Sequence, residues 1–544
     1  MRQHVPPVFD GPLNSLQKSL TTKSTKKIFT KNTKKDDPHR HNLSVLRGHS
    51  SCPSWLNLFT QSPLATLLKL LVIGNLALLS GCAVGPEYVR PEATEIPSNY
   101  QVIRSEWKVA VPSANLPKGK WWEIFGDSVL NNLEDEALSA NQSLSVAAAR
   151  FEQARAQADV AFSGLFPNIG VGVTATRQHD SENRPLSNTG KAAGQAYTYN
   201  NFALPFDVNW ELDLWGRVRR QVEAARANVQ ASADELESVR LAITCEVAAD
   251  YFTLRALYAD RQYLDSTIQV YRRALQLVKN RRAGGLVSDL DVAQAETVLR
   301  TAEAQVPDDE LQRQKFQDAL AVLTGQNASP FHLAEMPLDT VPPVIPPGIP
   351  SELLERRPDV AAAERHMAAA NANIGVATAA FFPTVSLGAV AGFQSTNAST
   401  LFNAPSGLWG VGASLFQPLF EGGKLNAQLS LAKGAYAQSV ADYRQSVLSA
   451  FADVEDNLAA QRFLGEQYQA NLSAFKSATR QLEIADNQYR AGLVSYLNVS
   501  SAQTTALGLQ RVVNRLRGER FVAAIALIKS IGGGWQNPER IGMR

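Results

Sequence analysis

Arg282-Ala-Gly-Gly-Leu-Val-Ser-Asp-Leu-Asp-Val-Ala-Gln-Ala295 and Arg490-Ala-Gly-Leu-Val-Ser-Tyr-Leu-Asn-Val-Ser-Ser-Ala502 are two copies of one segment. Leu286, Val287, Ser288, Leu290, Val292 and Ala295 return 207 residues later as Leu493, Val494, Ser495, Leu497, Val499 and Ala502. Upstream of each copy stands a Phe-Pro pair, Phe166-Pro167 and Phe382-Pro383. Between pair and copy a glycine opens a helix-forming stretch, at Gly216-Arg217 and Gly423-Lys424. The same parts in the same order twice mark a tandem duplication of one unit, a strand pair followed by a helical hairpin.

The helical half of each unit is long. From Arg217 to Ala283 the chain has neither Pro nor Gly and places apolar residues three and four apart, as at Leu254, Leu257, Tyr258 and Leu264. A helix over 217–283 would run roughly 100 Å at ~1.5 Å per residue. Its counterpart covers 423–491, interrupted only by isolated glycines such as Gly434 and Gly465. Return helices are expected over 286–325, broken or kinked at Pro307, and over 494–530. Shorter helices are expected over 128–163 and 351–380. Repeat 1 thus spans 128–325 and repeat 2 spans 351–530, with an 82–127 segment before them, a Pro-rich linker over 326–350 between them and a tail over 531–544. Taken alone, these helices also fit a soluble coiled-coil rod or bundle.

The strands alter that reading. Ile169, Val171, Val173 and Ala175 alternate with Gly170, Gly172, Thr174 and Thr176; Phe202, Leu204, Phe206, Val208, Trp210 and Leu212 alternate with Ala203, Pro205, Asp207, Asn209 and Glu211. Period two with one apolar face predicts strands over 166–180 and 197–214, and likewise over 382–394 and 408–420 in repeat 2. Their length suits tilted membrane strands, and Tyr197, Tyr199, Phe393 and Trp409 near the run ends suit an interfacial girdle. Four strands leave two open edges, which lipid does not tolerate, and closed membrane barrels begin at about eight strands. Several chains must then share one barrel: eight strands from two chains, or twelve from three.

The chain's beginning differs in chemistry from the rest. Of 53 Lys/Arg and 51 Asp/Glu, 11 and 3 precede Cys82, leaving 42 and 48, a net −6 for the remainder. The positive charge sits in a low-complexity opening, so a basic nucleic-acid surface is not expected. Leu67-Leu-Lys-Leu-Leu-Val-Ile-Gly-Asn-Leu-Ala-Leu-Leu-Ser-Gly-Cys82 reads as an export signal, too short to persist as a spanning helix. Its Leu79-Ser80-Gly81-Cys82 ending resembles the bacterial lipobox, which implies removal of residues 1–81 and a covalent lipid on Cys82. Ala83 stands where many inner-membrane lipoproteins carry Asp, which points to the outer membrane. Residues 1–63 exceed a usual n-region, and a start nearer Leu64 to Leu68 is the expectation. Cys52, Cys82 and Cys245 offer no intrachain disulfide once the first is removed and the second lipidated. His179, His332 and His366 are far apart, no metal-ligand spacing and no phosphate-binding loop is present, and neither a catalytic residue, a metal nor a cofactor other than the lipid is expected.

Several stretches carry a family resemblance along essentially the whole mature chain: Trp121-Trp-Glu-Ile-Phe-Gly-Asp127 with Leu130 and Leu133, Pro350-Ser-Glu-Leu-Leu-Glu-Arg-Arg-Pro-Asp359 with Ala363-Glu364, Ala380-Phe-Phe-Pro383, and Ser530-Ile-Gly-Gly-Gly-Trp535. The chain resembles the TolC-like outer-membrane factors of tripartite efflux systems, in the lipoprotein branch serving resistance-nodulation-division (RND) pumps. The resemblance implies an α+β membrane protein: a homotrimer with a 12-stranded β-barrel, four strands per chain, continuous with a long periplasmic α-helical barrel. It implies a passive exit duct for drugs or other toxic compounds, docked to a periplasmic adaptor (membrane fusion protein) and an inner-membrane RND-type transporter. The tips Gly285, Leu286, Val287 and Ser288, with Gly492, Leu493, Val494 and Ser495, would meet the adaptor, Gly allowing the turn and an exposed Leu-Val pair supplying the anchor. Burial of that pair as a staple within the chain is the alternative. The pore gate would lie at Leu497 and Ser501; relatives often carry Asp where Ser501 stands, so Asp289 and Asp291 are the candidates for an acidic ring, or else ordinary helix N-terminal acids. Two other readings are a type I protein-secretion duct of the same fold and a periplasmic lipoprotein scaffold without a pore.

Overall fold

A computed structural model describes residues 83–91, 119–182, 196–345 and 356–533. The leader, Cys82, the linker from residue 346, the start of the 351–380 helix and the tail from residue 534 lie outside the described residues. After a 3-10 turn at Trp121–Phe125, α1 spans Ser128–Ala140 and α2 spans Gln142–Ser163. One helix was expected here. Asn141 divides it: in extended conformation it ends α1 and caps α2, its Oδ1 accepting from the Leu144 amide at 3.1 Å and its Nδ2 donating to the Leu323 carbonyl at 2.9 Å.

The strands β1 (Asn168–Val171), β2 (Thr174–His179) and β3 (Thr198–Leu212) follow. The expected 166–180 strand is split although its register with β3 never slips: Val171 faces Phe206 and Thr174 faces Ala203. The cause lies across the ladder. Gly172 donates to the Pro205 carbonyl at 3.0 Å, but Pro205 has no amide to return the bond. On its other flank Pro205 pairs with Gly392, where an added Cβ would come within 2.1 Å of the Leu204 carbonyl oxygen. Only glycine admits that approach.

The long helix α3 (Arg217–Ala283) and its return α4 (Asp289–Leu323) form the first hairpin. Pro307 lies inside α4 without ending it. Proline removes one backbone bond, at a cost of about 3 kcal/mol in a helix interior, and packing on both sides offsets this: Leu299 and Ala302 are buried in one core, Leu320 and Ala321 in another, and Asp309 meets Arg511 at 2.5 Å. Repeat 2 supplies α5 (Pro358–Ala379), β4 (Thr384–Ser395), β5 (Gly407–Phe416), α6 (Lys424–Arg490) and α7 (Tyr496–Ser530). Corresponding helices match in length, 67 residues for α3 and α6 and 35 for α4 and α7.

The strands form one antiparallel sheet in the order β1/β2, β3, β4, β5. Among the helices α2 packs on α3, α3 on α5 and α5 on α6, a row continuing the order of the strands, and each return helix packs on its own long helix. The larger core lies at mid-length, where Phe252 and Phe521 stack at 4.4 Å beside Phe125 and the buried Trp121 and Trp122. Asp127 caps α1 and also receives Arg255 at 2.5 Å and the Tyr251 hydroxyl at 2.9 Å, so the 121–127 motif fastens the N-terminal segment to α3. Among the described residues no helix is long and apolar enough to cross a membrane.

Candidate duct wall, anchor and docking tips

The two sheet faces differ as the alternation requires. Across one run Ile169, Val208, Ala389 and Val411 in one row and Val171, Phe206, Ala391 and Trp409 in the next. This face is apolar and accessible in the single chain, with Trp409 82% and Val411 79% accessible and Ile169, Val171 and Phe206 also exposed. Across the other run Asn168, Asn209, Gly388 and Gly412, then Gly170, Asp207, Val390 and Gly410, a small and polar surface. Aromatics gather at both strand ends. Tyr197, Tyr199, Phe393 and Phe402 lie at one, and Phe166, Trp210, Trp215 and Phe382 at the other, where Trp215 stacks on Phe382 at 4.9 Å and donates to the Pro383 carbonyl at 2.8 Å. From Tyr199 to Trp210 is about 36 Å along the strand, or about 27 Å of height at a tilt near 40°, close to the apolar band of a membrane barrel.

Residue 83 begins at that second girdle. The Val84 amide donates to the Trp215 carbonyl at 3.0 Å, and a Cβ on Gly216 (φ +78°) would come within 2.7 Å of the Ala83 methyl. From there the segment 83–91 crosses α5, where Asn371 donates to the Pro86 carbonyl at 3.2 Å and Tyr88 to Glu364 at 2.6 Å, and reaches α6 through Arg90 and Tyr443 at 2.7 Å. Cys82 itself lies outside the described residues; its neighbour marks the boundary between sheet and helices.

At the far end both hairpins turn by one device. Gly285 and Gly492 have φ of +70° and +75°, and in each turn the next leucine amide reaches back to a carbonyl five residues earlier, Leu286 to Arg281 and Leu493 to Gln488, both at 2.9 Å. The return helices start after these turns, at Asp289 and Tyr496. The Leu-Val pair divides: Leu286 and Leu493 are 77% and 74% exposed, while Val287 and Val494 pack onto the tip core. The expected exposed pair and the alternative staple are each half realised, because consecutive residues leave a turn in opposite directions.

The candidate gate residues are not all alike. Leu497 and Ser501 are exposed one turn apart on a single face of α7. Asp291 is held in a capping box, its carboxylate accepting from the Ser288 amide at 2.9 Å and hydroxyl at 2.8 Å. Partial burial would raise its pKa, but these bonds and a Tyr496 amide outweigh that and hold it below the usual carboxylate range. Asp289 is lowered by its hydrogen bond to Arg282, an ion pair of 2.7 Å. Both carboxylates have local partners.

Sequence reading overlooked Arg281. It reaches from the first tip to the second, donating to the Tyr489 and Arg490 carbonyls at 2.9 and 2.8 Å with its guanidinium 4.8 Å from the Tyr489 ring. Arg511 was overlooked as well: from α7 it holds Asp260 of α3 at 2.7 Å and Asp309 of α4 at 2.5 Å, joining the two repeats. Nothing near either arginine in sequence marks its partners.

A family model described as "Outer membrane efflux protein" matches residues 133–326 and 349–533. The toluene efflux pump outer membrane protein TtgF of Pseudomonas putida is 33% identical over 84% of this chain and 95% of the relative. The cation efflux system protein CusC of Escherichia coli is 30% identical over 84% of this chain and 97% of its own length. Among solved structures the outer-membrane channel OprN superposes with a TM-score of 0.76 at 28% identity, covering 84% of this chain and all of that one. With the family model matching both repeats, and similarity to outer-membrane efflux components running through sheet, hairpins and tips alike, the chain belongs to the outer membrane efflux protein family.

Proposed function

We propose that three copies of this chain close into a lipid-anchored duct that carries small toxic compounds out of the periplasm. The observation behind this reading is the sheet: one continuous apolar face, one small and polar face, and edges at β1/β2 and β5 that have no strand partner among the described residues. Such edges are stable in lipid only when further chains pair with them, and three chains supply twelve strands with room for a lumen, whereas eight strands nearly fill their own interior. The helix row beneath would continue the wall into the periplasm. A diacylglyceryl group on Cys82 fits the position of Ala83 at the membrane-side junction. Exposed Leu286 and Leu493, each presented by a glycine turn, suit apolar anchoring to the hairpins of a periplasmic adaptor, which would join the duct to an RND-type inner-membrane transporter.

Leu497 and Ser501 form the proposed constriction. For Asp289 and Asp291 the capping box and the Arg282 pair favour the helix N-terminal role over an acidic ring. The duct needs neither cofactor nor catalysis, since energy and cargo selection belong to the transporter. Relatives of similar identity whose names specify toluene and cations agree with weak selection by the wall. The deciding experiment is single-channel conductance of the full lipidated protein in planar bilayers, with its oligomer mass in detergent. Discrete openings from a trimer are expected; a non-conducting monomer would leave a lipoprotein scaffold.

A further inference from the structure

Against α3, just below the sheet, lies a cavity of about 410 Å³, within the ~300–1,000 Å³ range of small-ligand sites. Arg219 and Arg226 from α3 and Arg365 from α5 line it, over an apolar wall that includes Leu165, Val222 and Ala368. Glu223 also lines it, but its carboxylate is taken by Arg220 at 2.8 Å. Arg219 is held by Asp213 at 3.2 Å, and Arg365 by Glu364 and by Gln230 at 3.1 Å, so both are fixed in place. Arg226 lies 5.8 Å from the Phe162 ring centroid and has no carboxylate partner among the described residues. The arrangement is a cationic cleft whose positive charge exceeds its own neutralisation.

Depth identifies what it takes. The last residue of β3 is Leu212, and α3 begins at Arg217. Arg219 therefore sits at the base of the sheet and Arg226 about 10 Å further along the helix. The polar layer of a bilayer is about 5–8 Å thick on each side of its hydrocarbon core, and long arginine side chains reach back toward it. Phe162 and Phe166 are exposed beside the cleft at the same level. Because α3 is flanked by α2 on one side and α5 on the other, the cleft they line lies away from the sheet edges where another copy would pair.

We propose that this cleft binds the phosphate-bearing headgroup of an anionic phospholipid from the periplasm-facing leaflet, a lipid contact in addition to the spanning sheet and the proposed lipid on Cys82. Arg226 makes the direct contact, the ion-paired Arg219 and Arg365 fix the walls beside it, and the apolar wall receives the start of the acyl chains. The assignment rests on the sheet spanning the membrane.

The test reconstitutes the full lipidated protein in nanodiscs with equimolar phosphatidylglycerol and phosphatidylcholine and counts retained lipids by native mass spectrometry. Each cationic side chain near a membrane surface is worth about fivefold toward anionic lipid, so wild type should retain phosphatidylglycerol preferentially, Arg226→Glu should lose at least about tenfold of that preference, and Arg226→Lys should keep most of it. Equal retention of both lipids by wild type, or unchanged retention by an Arg226→Glu protein of wild-type oligomer mass, overturns the site. Displacement of the lipid by excess inorganic phosphate overturns the lipid assignment in favour of a free-anion site. Conductance of the same preparation separates the two readings: conduction without lipid preference removes only the site, whereas absence of conduction removes the duct.

Discussion

The two tips share a backbone and differ in what holds them. Gly284 and Ala491 occupy the same place with nearly the same conformation, φ −82° and −76°, so the apparent extra glycine of the first copy is a substitution at a position any residue can fill. Beyond the turn the copies diverge. Ser288 and Asp291 close a capping box and Asp289 holds Arg282, whereas Ser495 makes no side-chain cap and Asn498 replaces the aspartate. The second tip is held instead by Arg281 of the first tip and by its own Tyr496, which packs on Tyr489 at 5.3 Å. Duplication has kept the fold of the hairpin and redistributed its support: one tip is held mainly by its own capping box and ion pair, the other by an arginine from its neighbour.

Arg281→Ala should break that dependence most strongly. It removes two charge-assisted bonds to helix-end carbonyls, about 2 kcal/mol in all, and should raise hydrogen exchange around Tyr489 to Ser495 and leakage of the closed channel, with little change in the first turn. Equal loosening of both tips would refute the asymmetry. Next, Gly285→Ala and Gly492→Ala should each cost about 1 kcal/mol locally because both demand a left-handed residue, while Gly284→Ala should be neutral or slightly stabilising in thermal unfolding. A cost at Gly284 equal to that at Gly285 would contradict the shared geometry.

Asp291→Ala should destabilise the first tip by about 1 kcal/mol, and Asn498→Asp should build the missing box and stabilise the second by a smaller amount, both read by exchange protection. Asp289→Ala combined with Asp291→Ala should leave cation block of the pore unchanged; loss of block would restore the acidic ring. The smallest effect concerns pH. Asp289 and Asp291 are depressed in the folded chain, so their stabilisation is present above the ordinary aspartate pKa near 4 and is lost as pH falls through the folded values. Acidification below about pH 4 should therefore fray the first tip before the second, in exchange protection corrected for intrinsic rate.

Much of this was legible in the chain. Absence of Pro and Gly over 217–283 and the three-four spacing gave α3 its extent, and period-two alternation located the strands, because helix and strand formation depend on neighbours within about four residues. The break between β1 and β2 was not legible, since its cause is Pro205 on the facing strand. Nor could the sequence choose between a break and a kink at Pro307, where packing keeps α4 continuous.

The duplication, the extent of the two 67-residue helices and the two-faced strands were therefore legible in the sequence alone, each being a matter of local spacing and residue polarity. Which copy of a repeated residue is exposed, capped or paired was decided only by the tertiary structure. Arg281 meets a carbonyl 208 residues away and Arg511 an aspartate 251 residues away. Such partners come together only when whole hairpins pack, and no spacing within either copy encodes them.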